Sequence, residues 1–255
     1  MGDQLDEEVF KKAEMNMHTP HTHTHESPAK TEGRFVQWAW FYDGLINLMT
    51  FGQIRRLRQM TIDQAGLRPG ESVLDVGCGT GAVTIPAKET VGNNGIAVGI
   101  DPDPSMISVA RRKSKRKGLE IDFRVAVIES LPFPDETFDV VTSSLMMHHL
   151  PEHLRSKGLA ETFRVLKPGG RILIAEMRRP TGSGFRRFLT SLALHHGHVV
   201  EFGLQDLPKL LREAGFQDVE QLENHFLMIG FVRANKPALN PITATSGVNQ
   251  PGFLK

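Results

Sequence analysis

Between Glu71 and Val232 the chain alternates short apolar runs with longer stretches in which apolar residues recur at helical spacing. The short runs predict strands over Glu71–Val76, Ile96–Ile100, Ile121–Val127, Phe138–Ser143 and Arg171–Glu176, each rich in Val, Ile, Leu or Phe. The longer stretches predict helices over Ala82–Val91, Pro104–Lys117 and Pro151–Val165, the last ending at Lys167-Pro168-Gly169-Gly170. Asp101 or Asp103 is placed to cap the helix that opens at Pro104. Pro86 falls inside the helix after the first strand, where its missing N–H predicts a kink. A final helix, Leu204–Ala214, stops at Gly215, and Val219–Leu222 with Phe226–Val232 then form an antiparallel hairpin at the sheet edge. Apolar strands separated by helices describe a parallel sheet covered on both faces, a doubly wound α/β fold.

The pattern lapses at both ends. Residues 1–32 are polar, interrupted by Pro20 and Pro28, and carry His18, His21, His23 and His25 in the run HTPHTHTH. Without a fixed scaffold or thiolates this reads as a solvated tail and not as a metal site. Residues 236–255 repeat that composition and read as a second tail. Residues 33–235 are left as one domain, with 33–66 as a helical lid that concentrates Trp38, Trp40, Phe41, Tyr42, Met49 and Phe51.

Composition narrows the function classes. With 40% hydrophobic and 23% charged residues, the 255-residue chain can build a core without metal or disulfide support. Its net charge of +1 provides no bulk attraction to nucleic acid. The dense basic run, Arg111 to Lys117, sits at a helix end, where the dipole favours cations. No stretch approaches the ~18 apolar residues of a membrane span, and Gly2-Asp3-Gln4 does not open a signal peptide. A single cysteine, Cys78, suits a reducing compartment, and the cytoplasm is the expected location.

The candidate chemistry starts at VLDVGCGTG, Val73 to Gly81, where a buried strand carrying Asp75 runs into Gly77, Gly79 and Gly81. In doubly wound sheets a ligand lies beyond the carboxyl ends of the strands, and glycines there let backbone approach it closely. A dinucleotide site asks for G-x-G-x-x-G and an acid about 20 residues on for the ribose. Here the spacing is G-x-G-x-G, and Asp101 supplies a ribose acceptor for either ligand class. The buried acid before the loop favours a cofactor bearing an ammonium over one bearing a pyrophosphate.

VLDVGCGTG, GIDPDPSMI, LPFPDETFDVV and RVLKPGGRILIAE, in this order, resemble the class I S-adenosylmethionine-dependent methyltransferases. The branch containing the ubiquinone and menaquinone C-methyltransferases is especially similar, because YDGLINLMTFGQIRRLRQ, Tyr42 to Gln59, resembles its entry segment. The resemblance implies a seven-stranded, mostly parallel sheet with the last strand antiparallel, and S-adenosylmethionine as cofactor. It also implies a cofactor set of Tyr42, Asp75, Gly77, Cys78, Gly79, Thr80, Asp101, Pro102, Met106, Val127, Ile128, Glu129 and Ser143. Val127 departs from the pattern, because the family usually has an aspartate there for the adenine amino group; Glu129 or a backbone carbonyl is the expected substitute.

His148 and His149, just past the fourth strand, are the candidate catalytic residues, either as a base or as part of the site's scaffold. His195, His196, His198 and Glu201 read as a polar loop over the site, and no metal is expected. The resulting expectation is methyl transfer to a small or medium-sized organic acceptor, aromatic or apolar, by a monomer or homodimer. Quinone-ring C-methylation is the enzymatic alternative, and a non-catalytic S-adenosylmethionine-binding regulator is the alternative of another class.

Overall fold

The computed structural model describes residues 53–178, 202–223 and 229–238. Seven strands form one sheet in the order β3-β2-β1-β4-β5-β7-β6. They are β1 (Ser72–Val76), β2 (Ile96–Asp101), β3 (Asp122–Val125), β4 (Phe138–Ser144), β5 (Leu166–Met177), β6 (Gln217–Leu222) and β7 (Ile229–Asn235). The helices are α1 (Gln53–Ala65), α2 (Thr84–Val91), α3 (Pro104–Arg116), α4 (Glu152–Val165) and α5 (Leu207–Glu213). β1 to β5 are parallel, whereas β7 runs antiparallel to both β5 and β6.

Every residue of β1 is buried because helices cover both faces of the sheet. Val73 and Val140 point toward α1 and α2, where they meet Ile62, Val83 and Ala87. Leu74, Val76, Val141 and Ile174 point the other way, into a core completed by Leu154, Leu159, Leu207 and Leu211. Strand order reverses between β1 and β4, since the chain leaves β1 for β2 and β3 on one side and β4 for β5 on the other. The crevice beyond the carboxyl ends of these two strands is the ligand position of this sheet type.

Several boundaries differ from the sequence expectation for local reasons. The helix after the first strand begins at Thr84 and not at Ala82, so Pro86 lies in its first turn, where N–H groups lack intrahelical partners anyway, and no kink is required. Asp103 and not Asp101 caps α3, accepting the Ser105 N–H at 2.7 Å. The Lys167–Gly170 stretch does not end before a strand but interrupts one. Leu166 pairs with Phe138 and Arg171 with Val140, and the intervening residues bulge out. Lys236, taken above as the start of a tail, holds this bulge: its amide donates to Gly170 O and its carbonyl accepts from Gly169 N. Its ammonium donates to Leu166 O at 2.7 Å. The terminal hairpin is an antiparallel pair, but β7 lies inside the sheet and only β6 is at the edge.

Three residues of the basic run at the end of α3 have local partners, while Arg112, Lys115 and Arg116 are exposed. Arg111 donates to Phe123 O and Lys113 to Thr80 Oγ1 at 2.8 Å, while Lys117 pairs with Glu89. At the opposite end of the sheet Arg171 grips Glu71 and also donates to the Ala65 and Gly66 carbonyls that close α1. Burial opposes the Glu71 charge, yet the bonds from Arg171 and the Arg68 N–H hold its carboxyl below the usual range.

Candidate functional site

Three glycines follow β1 with positive φ, and they do different things. A side chain on Gly77 would run into Met146, and one on Gly81 would meet Phe123, Ala110 and Ile85, so both admit close packing. A side chain on Gly79 would meet nothing within 4 Å. At Gly79 the backbone therefore faces open space, as a cradle for a ligand does.

The loop is tied to β2 by three bonds. Gly77 N and Cys78 N both donate to Ile100 O at 2.9 Å. Gly79 N donates to Asp101 Oδ2 at 2.9 Å, and Asp101 Oδ1 accepts the Asp103 N–H at the same distance. Asp101 is 9% exposed, and each of its oxygens keeps a second lone pair. Burial pushes its carboxyl up to about 6, against the two backbone bonds and with help from the nearby Asp103 and Asp75 charges.

The buried carboxylate of Asp75 has partners inside the fold. Thr84 Oγ1 donates to its Oδ2 at 2.6 Å and Thr142 Oγ1 to its Oδ1 at 2.9 Å, joining the start of α2 to the middle of the sheet. Burial pushes Asp75 up to about 6 despite these two bonds. Sequence reasoning asked for a partner and did not foresee two threonines; Thr142 lies 67 residues away, opposite Asp75 in the register of β1 and β4. Burial also pushes the Cys78 thiol well up, with Asp101 and Asp75 adding to the effect, so it packs here as a neutral side chain beside Gly99.

The remaining expected cofactor residues among those described lie in the loop after β1, at the ends of β2 and β4, at the start of α3 and in the segment after β3. Pro102 and Met106 follow Asp101, and Met106 is buried at the start of α3. Val127 pairs with Ser130 in an isolated bridge, and its carbonyl accepts the Ser130 N–H. The Ile128 side chain turns away into the core and fills the space that a side chain on Gly158 would need, so its backbone is what remains for a ligand. Glu129 is buried next to it. Thr80 is buried and accepts from Lys113. Ser143, 2% exposed, ends the buried part of β4 beside Val76, and its hydroxyl has no hydrogen-bond partner among the described residues. Tyr42, the other lid aromatics and the His195–Glu201 cluster lie outside the described residues.

Past β4 the chain makes a sharp turn. Leu145 adopts φ 55°, an unusual conformation for a non-glycine residue. Its N–H donates to Ala175 O and its side chain packs near Leu173 and Phe231. The turn sends Met146 against Gly77 and starts a single 3-10 turn over Met147–His149. His148 Nδ1 then lies 2.8 Å from Glu176 Oε1 at the carboxyl end of β5. The His148 and His149 rings are tilted against one another, with centroids 4.0 Å apart. Glu176 was missed by sequence reasoning, although it carries the same signal as Asp75, an acid one residue before the end of a buried apolar strand.

This geometry sits on a chain with recognisable relatives. Residues 73–170 match the methyltransferase-domain family. The ubiquinone/menaquinone biosynthesis C-methyltransferase UbiE of Vibrio vulnificus is 36% identical over 172 residues, covering 67% of this chain and 65% of the relative. Residues 73–170 are a methyltransferase domain, and the chain is similar to the class I S-adenosylmethionine-dependent methyltransferases. It spans 55–66% of the length of the curated relatives reported for it. Among solved structures, a SAM-dependent methyltransferase from Aquifex aeolicus superposes with a TM-score of 0.57 at 24% identity, over 70% of this chain and 88% of that one. The 4+2 cyclase SpnF superposes with a TM-score of 0.60 at 21% identity, over 79% of this chain and 94% of that one. These two likenesses concern the fold, which does not by itself dictate the reaction. Among the described residues, no helix is long and apolar enough to cross a membrane.

Proposed function

We propose that this protein transfers the methyl group of S-adenosylmethionine to a small or medium-sized organic acceptor. The observation that carries the reading is the Asp101 carboxylate, held by the Gly79 and Asp103 amides at the mouth of the crevice with lone pairs to spare. A ribose diol offers two donors to such an acceptor, and the open space at Gly79 leaves room for backbone contact with the methionine part. In this reading Gly77, Cys78, Gly79 and Thr80 line the methionine moiety. Pro102 and Met106 flank the adenine, whose edge meets Val127, Ile128 and Glu129. The Ser143 hydroxyl is a spare donor at the end of β4, and Tyr42 is a further proposed cofactor contact.

Asp75 acts on the ligand ammonium through its charge, since both of its oxygens already accept threonine hydroxyls. The cofactor supplies an activated methyl on a sulfonium. The chain's work is to align the acceptor behind that carbon and keep water out; orientation of this kind is worth ~7–11 kcal/mol. His148 and His149 stand on the acceptor side, beyond β4.

A second reading, C-methylation of a quinone precursor, is supported by the names of the relatives that match at 36–40% identity. The two differ in acceptor and share the cofactor. Calorimetric titration with S-adenosylhomocysteine and with NADH tests the shared part. Binding of the thioether and not of NADH is expected, and the reverse overturns the reading. A screen of acceptors with methyl-labelled cofactor then separates the two.

A further inference from the structure

We infer that Arg178 receives a carboxylate carried by the acceptor, so that the substrate is an organic acid methylated at another of its atoms. The inference rests on the methyl-transfer reading and deepens it by naming the acceptor's class.

Arg178 directly follows β5 and is half-buried. Its Nε is sealed from solvent and has no hydrogen-bond partner. Nη1 and Nη2 are not sealed, and among the described residues neither donates a hydrogen bond nor joins an ion pair. A guanidinium has five donors and no acceptor, and drawing its charge part-way out of water without an anion is costly. Arg164 and Arg171, also half-buried, show how the fold meets that cost elsewhere: carboxylates and main-chain carbonyls hold both. Arg155 spends a donor on Met147 O and its face on Phe202. Arg178 has no such arrangement.

The guanidinium is nevertheless seated. A side chain on Gly230 would meet Arg178 Nε and Nη2 at 3.0 Å, with Leu204 on the same side, so the bare backbone there makes its place. Gly230 is the register partner of Glu176, which sets the cation beside that buried acid. The two do not pair. Glu176 Oε1 accepts the Met177 N–H at 2.7 Å and lies 2.8 Å from His148 Nδ1, while Oε2 accepts the His148 N–H. The Met177 bond also fixes the backbone one residue before Arg178.

Position points to the acceptor and not to the cofactor. β5 lies parallel beside β4, and β4 beside β1, so Arg178 is at the same end of the sheet as the Gly77–Gly81 loop but two strand spacings, about 10 Å, to the side. In the methyl-transfer reading the methionine part, with its own carboxylate, lies at that loop. Arg178 instead shares the surroundings of Glu176 with the His148 turn.

Charge and shape select a carboxylate among anions. One guanidinium balances one negative charge, and its planar fork matches two carboxylate oxygens. A phosphate monoester brings about −1.5 to −2, and the excess would face the neighbouring acid Glu176.

Calorimetric titration of the S-adenosylhomocysteine complex with benzoate, anthranilate and octanoate, each against its methyl ester, tests the inference. At least one acid is expected to bind more tightly than its ester, and Arg178→Gln should abolish that preference with a loss of about 10–100-fold in affinity for the acid. Arg178→Lys keeps the charge without the fork and should recover part of it. Thioether affinity should be unchanged in both variants. The inference falls if no acid is preferred over its ester by the wild type, if the preference survives in Arg178→Gln, or if phenyl phosphate binds more tightly than all three acids. It falls equally if Arg178→Gln weakens thioether binding, which would give the guanidinium to the cofactor's carboxylate. Melting temperatures report on folding; where Arg178→Gln does not fold, Arg178→Lys decides, and a preference equal to the wild type's overturns the inference. In each of these cases thioether binding by the wild type leaves the methyl-transfer reading standing, and failure of the wild type to bind the thioether overturns that reading itself.

Discussion

Asp101 Oδ2 accepts the amide proton of Gly79 at 2.9 Å, so the carboxylate proposed to hold the ribose also holds the loop proposed to hold the methionine. Two motifs 22 residues apart thus act as one unit. Replacing this acid removes a ligand contact and releases the loop together, which sets the size of the effects below.

Asp101→Ala is expected to weaken S-adenosylhomocysteine binding by about 2–4 kcal/mol, from lost charged hydrogen bonds and an unpaired Gly79 amide. Asp101→Asn keeps one acceptor and should lose less. Isothermal titration checks both, and wild-type affinity in the alanine variant would remove Asp101 from the site.

Cofactor affinity should depend on pH. Burial raises Asp101 and Asp75 in the fold to about 6, above the usual 3.8, so the native state takes up protons before the unfolded chain does. Their contribution to stability is therefore complete below pH 3.8 and is lost as pH rises through about 6. Ligand binding runs the other way, because a diol and an ammonium favour the ionised acids. The dissociation constant should rise up to about tenfold per unit as pH falls below 6, and level off above 7. Titrations at pH 5, 6 and 7.5 measure this, and Asp101→Asn should flatten the dependence.

The loop glycines should separate folding from binding. Gly77→Ala drives a methyl into Met146 at a positive φ, and a loss of about 2–4 kcal/mol in urea denaturation is expected. Gly79→Ala has room for its methyl and should cost about 1 kcal/mol of stability, while weakening cofactor binding more than that. Equal effects on stability would show that the two positions are not differently packed.

Thr142→Val keeps the shape of the side chain and deletes a donor to the buried Asp75. A destabilisation of about 1–3 kcal/mol is expected from the lost bond, and Thr142→Ser should recover most of it. Thermal melts of the two variants without ligand provide the comparison.

The alternation of strands and helices was readable because a parallel sheet covered on both faces demands near-continuous apolar runs, and β1, β2 and β4 supply them. The Gly77–Gly81 loop and Asp101 were readable too, since glycine at a strand end and an acid at the end of the next strand have few structural uses. Helix starts were less readable. Pro86 moved from a kink to a first turn because the loop consumes two more residues than the apolar period suggested.

Sequence alone determined the sheet, its helices and the place of the glycine loop, because those depend on local periodicity and on backbone freedom at single residues. Tertiary structure decided which groups meet: Thr142 on Asp75, Met146 on Gly77, Lys236 on the bulge of β5, and Glu176 on His148. Each of these pairs joins residues far apart in the chain through strand register or a turn geometry such as that of Leu145. Residue type and spacing carry no record of such pairings, which arise only when the buried carboxylates must find donors within a closed core.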